Sequence, residues 1–195
     1  MSIVTLSRRS GESETFIIRR CGEGDLADIM ALQQSVYDAL EDKTLCVPSD
    51  EPDVAESLRE DYCLGAYVCS DTEQSDSGTN ADKNCMLAAV TIMVVNRVSP
   101  RNYGKYVGYD EEGQRRCVSM DVTMVAPEYR GYGLQKTFVS MREEEARRLG
   151  ATEALVTISP DNTHSIDNFL KSGYEVLRTC PVYGDLVRSI LRKEL

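Results

Sequence analysis

One stretch constrains the chain more than any other: Val118–Gly150, VSMDVTMVAPEYRGYGLQKTFVSMREEEARRLG. An apolar strand runs into Ala126-Pro127-Glu128, then a glycine-spaced loop, Arg130-Gly131-Tyr132-Gly133, then an amphipathic helix that stops at Gly150. Another apolar strand follows at Ala154–Ser159. Strand, helix, strand in this order requires a right-handed crossover between two parallel strands. The two glycines let the backbone approach a ligand with its amides facing outward. The helix that starts there adds unpaired N–H groups and the positive end of its dipole, so the loop is an anion site or else a plain tight turn. No Gly-Lys-Ser/Thr follows, which excludes the nucleotide P-loop, and Lys136 stands where a dinucleotide fingerprint needs glycine.

The rest of the chain supplies a mixed sheet around this unit. Residues 1–15 form a loose leader without the basic-then-apolar order of a signal peptide, which predicts a cytoplasmic protein. Residues 16–20 are a first strand, and Asp25 is the expected N-cap of a helix whose buried face carries Leu26, Ile29, Met30, Val36, Tyr37 and Leu40. Pro52 opens a second, acidic helix. Strands follow at Cys63–Cys69 and at Met86–Val95, the latter apolar enough to be buried on both faces. Between them, residues 70–84 are polar and predict a mobile hairpin loop. In Val118–Val125, alternation puts Val118, Met120, Val122 and Met124 on one side, with Ser119, Asp121 and Thr123 on the other. Leu134, Phe138, Met141 and Leu149 make the expected apolar stripe of the next helix. A helix behind Asn162 and strands at Tyr174–Thr179 and Val187–Leu191 complete the order β-α-α-β-β-β-α-β-α-β-β, an α/β single domain over residues 16–195 with helices on both faces of a mixed sheet.

Composition narrows the function classes. The apolar fraction of 42% suits a globular domain, and no apolar run reaches the length of a membrane span. The net charge of −10 lies entirely in the first hundred residues, with 18 acids against 8 bases, which disfavours nucleic acid as a partner. A single histidine makes a metal site unexpected. Seven cysteines without a C-x-x-C pair are expected to be reduced packing thiols.

Val125-Ala126-Pro127 followed by Glu128-Tyr129-Arg130-Gly131-Tyr132-Gly133 resembles the acetyl-CoA loop of the GNAT acyltransferase superfamily, whose pattern is Gln/Arg-x-x-Gly-x-Gly/Ala after Val-x-Pro. Glu128 takes the Gln/Arg place. Asp161–Tyr174, DNTHSIDNFLKSGY, resembles the family's later passage. That likeness puts Asn162 on its asparagine, Ser165 on its alanine, and Phe169 where many members carry a thiolate-protonating tyrosine. The tail YGDLVRSILRKEL is similar to that of small bacterial members.

The resemblance implies acetyl transfer from acetyl-CoA to a primary amine of a small cationic molecule or peptide, by a monomer or homodimer. Cofactor-binding positions would be the backbone near Met124 and Val125, the loop Arg130, Gly131, Tyr132, Gly133, Leu134 and Gln135, and Asn162 with Ser165. Asn162 reads equally as a helix cap. Asp121 is the candidate base, as the one ionisable residue of 118–125, and its alternative is a carboxylate paired with an arginine. Tyr183, or one of Tyr103, Tyr106 and Tyr109, is the candidate acid, and a thiolate with a pKa near 8.5 can also leave unaided. The acids of residues 25–61 would make one wall of the acceptor cleft cationic-selective. A catalytically silent acetyl-CoA-binding module is the alternative function, suggested by Glu128 and Phe169.

Overall fold

The computed structural model describes residues 1–69 and 85–195, so the expected loop 70–84 lies outside the described residues. Eight strands among them form one sheet: β1 (Ser2–Ser7), β2 (Ser13–Arg20), β3 (Tyr62–Cys69), β4 (Cys85–Val94), β5 (Cys117–Val125), β6 (Glu153–Ile158), β7 (Glu175–Pro181) and β8 (Val187–Glu194). Their spatial order is β1-β2-β3-β4-β5-β6-β8-β7. Every neighbouring pair is antiparallel except β5 and β6, as the crossover through the intervening helix requires.

The helices are α1 (Leu26–Asp38), α2 (Glu51–Glu60), α3 (Glu111–Arg116), α4 (Leu134–Arg148) and α5 (Thr163–Lys171). Ile29, Leu32 and Val36 of α1 and Val54 and Leu58 of α2 pack on one face of the sheet against Val90, Ile92 and Met124. Val139 and Ala146 of α4 and Phe169 of α5 pack on the other, against Met93, Val118 and Met120. The expected mixed α/β sheet with helices on both faces is thus present, with β1 and α3 added to the expected order.

Several local expectations are corrected. Residues 2–7 are an edge strand paired with β2 along its length, where a loose leader was expected. Asp25 is not a side-chain cap of α1; its carboxylate instead takes the Gly22 amide, the Arg19 guanidinium at 2.8 and 2.9 Å, and the Tyr67 hydroxyl at 2.8 Å. On α4 the buried face is rotated: Leu149 is 36% exposed, while Arg142 is completely buried beside Phe138, Val139 and Ala146. Not all cysteines are thiols. Cys69 and Cys85 are register partners across β3 and β4 and form a disulfide, leaving Cys21, Cys46, Cys63, Cys117 and Cys180 free. No helix is long and apolar enough to cross a membrane among the described residues.

The feature that matters most for the site is a bulge in β5. Ile92 pairs with Val122 but Val94 pairs with Ser119, so three steps along β5 face two along β4. An extra residue in one strand bends it and reverses its alternation. Val118 and Met120 therefore pack with α4, while Val122 and Met124 pack with α1 and α2, against the single apolar side expected for all four. Beyond the same point β5 leaves β6: the parallel ladder runs only from Cys117–Glu153 to Ser119–Leu155.

Candidate active site

The parting of β5 from β6 opens a wedge in the sheet, the floor of a cavity of about 420 Å³. Met120–Met124 line one side and Val156–Ser159 the other, with Asn162, Ser165 and Phe169 of the α5 region at one end. Cys46–Ser49, Arg101, Tyr103 and Tyr183 line it as well. Arg142 braces the splayed strand from behind, donating to the carbonyls of Ile92 at 3.2 Å and Val122 at 3.4 Å. Complete burial lowers its pKa to about 10, still high enough to keep the charge at neutral pH.

Asp121 projects from the bulge into a chain of polar groups. Its Oδ2 accepts from Arg101 Nη2 at 2.6 Å and its Oδ1 from the Tyr103 hydroxyl at 2.5 Å. The Tyr103 hydroxyl lies 2.7 Å from that of Tyr183, which lies 3.2 Å from the Thr157 hydroxyl on β6. A phenol has one proton to donate. Tyr103 gives its proton to Asp121, so its oxygen accepts from Tyr183, and the Tyr183 oxygen, with no further proton to give, accepts from Thr157 and lines the cavity. Burial, and then the Asp121 charge, raise the pKa of both tyrosines, so both phenols stay protonated.

Loop residues hold this chain in place. Buried Asn102 ties its segment down by donating to the carbonyls of Arg97 and Gln114 and accepting from the Gly104 amide. The Tyr103 amide donates to Ser119 on β5. Arg101 is shared with Asp61, a carboxylate whose pKa burial raises against the pull of Arg97 and Arg101. Tyr183 sits in a turn with φ of 55°, a conformation that costs an L residue about 1–2 kcal/mol and points to a constrained position. Sequence reasoning placed Asp121 and Tyr183 but not Arg101, and it left Tyr103 as one of four tyrosines.

The glycine loop joins β5 to α4, whose Gln135 lines the cavity. Gly131 and Gly133 have φ of 89° and 84°, and a Cβ at Gly133 would meet nothing within 4 Å. The Arg130 amide closes a 3₁₀ turn onto Pro127, which removes it from the expected cradle. The amides of Gly131, Tyr132, Gly133, Leu134 and Gln135 have no backbone acceptor among the described residues, so they suit an anion such as a pyrophosphate. The Tyr132 and Leu134 side chains are buried and can contribute only their backbone. The Gln135 side chain joins α4 to α5 through Ser165 and Asn168. Asn162 caps α5 through its Oδ1 and also lines the cavity.

A residue of the supposed leader completes the loop. Arg8 donates to the carbonyls of Glu128 and Arg130, and its guanidinium stacks 4.3 Å over the Tyr132 ring. Two charged-donor hydrogen bonds hold the loop backbone in register. We expect Arg8→Ala to raise the acetyl-CoA dissociation constant roughly tenfold, equivalent to about 1.4 kcal/mol, by calorimetry with the fold intact. Unchanged affinity would show that the loop holds its shape without Arg8.

The acidic cleft wall is not found. Of the acids in residues 25–61 only Asp53 lines the cavity, whereas Arg101, Lys105 and Arg188 line it too. Asp61 and Asp25 are taken up by arginines, and Asp42 and Asp50 cap helical turns.

The comparisons settle the family. Residues 50–174 match the model of the acetyltransferase (GNAT) family. The chain belongs to that family. It is therefore an acyltransferase, and acetyl-CoA is the donor on which GNAT enzymes draw. No curated protein matches the chain by sequence. Solved GNAT-type structures share the fold at low identity. A GNAT acetyltransferase from Listeria monocytogenes aligns with a TM-score of 0.66 at 12% identity, over 98% of this chain and all of that one. A ribosomal-protein-alanine N-acetyltransferase from Brucella melitensis aligns with 0.61 at 19%, over 92% and 99%. The Salmonella typhimurium protein yncA, solved with its cofactor acetyl-CoA, aligns with 0.60 at 18%, over 92% and 93%.

Proposed function

We propose that this GNAT protein transfers acetyl from acetyl-CoA to a primary amine of a small molecule or peptide, by direct attack on the thioester. The observation that carries the proposal is the hydrogen-bonded chain Tyr183–Tyr103–Asp121 at the wedge between β5 and β6. The glycine-loop amides would hold the pyrophosphate, and backbone groups near Met124 and Val125 would orient the acyl group and polarise its carbonyl. An alkylamine with a pKa of about 10 arrives protonated and must lose a proton before it attacks. The Tyr183 oxygen takes that proton as its own moves to Tyr103 and the Tyr103 proton moves to Asp121. Asp121 thereby acts as base without touching the amine. As the nitrogen–carbon bond forms and the carbon–sulfur bond breaks, Tyr183 takes the second nitrogen proton and gives its own to sulfur. Phe169 has no proton to give, so this route leaves the acid role to Tyr183.

A silent acetyl-CoA-binding module is the second reading, favoured by the ion pair that Arg101 makes with the candidate base. The two part on one measurement, the time course of CoA thiol release over a panel of amines. The proposal expects release that depends on the amine and saturates with it. Tight acetyl-CoA binding with no amine-dependent release would leave only the module.

A further inference from the structure

We propose that the acceptor carries a carboxylate beside its amine and that Arg188 binds it. The proposal rests on the acetyltransferase reading and names its substrate class: a small amino acid, free at its carboxylate.

Arg188 is the second residue of β8 and lines the cavity, yet only 4% of it is exposed. Its Nη1 donates to the Val187 carbonyl at 3.0 Å, and its Nη2 to the Thr44 carbonyl at 2.8 Å, in the segment that covers the cavity. Among the described residues no carboxylate lies within ion-pair distance of it. The cavity's other arginine is different, because Arg101, only partly buried, is neutralised by both Asp61 and Asp121. A guanidinium stays charged at any physiological pH and has five N–H donors in a planar fork. Two meet neutral carbonyls here, and among the described residues the charge has no counter-ion. A buried charge left in that state is costly, and a carboxylate is the partner its geometry matches best.

The place is right for the reaction. In the β6–β8 register Thr157 faces Ile190, so Arg188 is the diagonal neighbour of Thr157 on the same face of the sheet. Such neighbours are about 7–8 Å apart between backbones. Thr157 contacts Tyr183, the end of the proton chain. Amine and carboxylate sites are thus within the span of one small molecule. The remaining charges favour the same ligand: with Asp121 paired to Arg101, the lining among the described residues keeps Arg188 and Lys105 against Asp53.

The test compares binding with turnover. N-acetylamino acids and their C-terminal amides, which are the expected products and neutral counterparts, are titrated into the CoA-loaded protein by calorimetry. At least one free acid is expected to bind roughly 30-fold more tightly than its amide, a margin in the range of charge-assisted recognition. Arg188→Met should reduce that margin to within about threefold, and Arg188→Lys should keep part of it. Equal affinity of acids and amides, no measurable binding by any free acid, or a margin that survives Arg188→Met overturns the assignment. Should Arg188→Met fail to fold, the wild-type acid–amide comparison and Arg188→Lys still decide it. Thiol release with the matching amino acids and amino amides separates the two levels. Acid-selective binding without turnover defeats the acetyltransferase reading alone, and turnover equally fast on amino amides defeats Arg188 alone.

Discussion

Gly133→Glu is expected to abolish acetyl-CoA binding while leaving the fold in place. The residue sits at φ of 84°, immediately before α4, where a Cβ would meet no neighbouring atom. The added Cβ therefore clashes with nothing among the described residues, and the backbone strain is about 1–2 kcal/mol. Its effect falls on whatever fills the open space in front of the loop. A carboxylate there would face a pyrophosphate held by the same amides, and like charges so placed cost several kcal/mol, or about a thousandfold in affinity. Calorimetry should show no binding in the range where the wild type saturates, with the melting temperature shifted by only a few degrees. Gly133→Ala separates strain from charge and should retain most of the affinity. An affinity for Gly133→Glu within tenfold of wild type places the pyrophosphate elsewhere.

Asp121→Asn is the second large effect. The amide keeps an oxygen for the Tyr103 hydroxyl or for Arg101 but cannot take a proton, so the chain from Tyr183 has no terminus. Loss of a positioned acid–base group lowers kcat by roughly 10²–10⁴. Acetyl-CoA affinity should persist, because Arg101 keeps Asp61 as its counter-ion and the glycine loop is untouched. Tyr183→Phe breaks the same chain at its outer end and should lower kcat without raising the KM for acetyl-CoA. Near-wild-type turnover by Asp121→Asn would return that carboxylate to the role of an ion-pair partner for Arg101.

What was legible in the sequence divides along physical lines. Periodicity and a glycine stop marked α4, the Asn162 cap marked α5, and the continuous apolar run marked β4, because capping and burial leave a local signature in each. β1 leaves none: no side chain of Ser2–Ser7 is fully buried, and its order comes from pairing with β2. α3, Glu111–Arg116, has no apolar side chain at all and stands on the Asp110 cap and two i,i+4 ion pairs. The bulge at Met120–Asp121 is a mismatch between two strands, so alternation within β5 alone could not show it. The same holds for the site. Asp121 was visible as the one acid in its strand, but Arg101 and Tyr103 reach it from a connecting loop. Arg188 looked like an ordinary strand arginine, since nothing local tells a charge with a partner from one without.

The clasp between the first hairpin and the glycine loop bears on how the chain is made. Arg8 and Arg130 are 122 residues apart, so the two groups meet only when most of the chain has been synthesised and the sheet between them has formed. Contacts of such long range form late, because closing the intervening chain costs entropy before the contact returns any. The shape of the glycine loop therefore matures with the whole sheet, and any ligand that binds only the finished state pulls the folding equilibrium toward it.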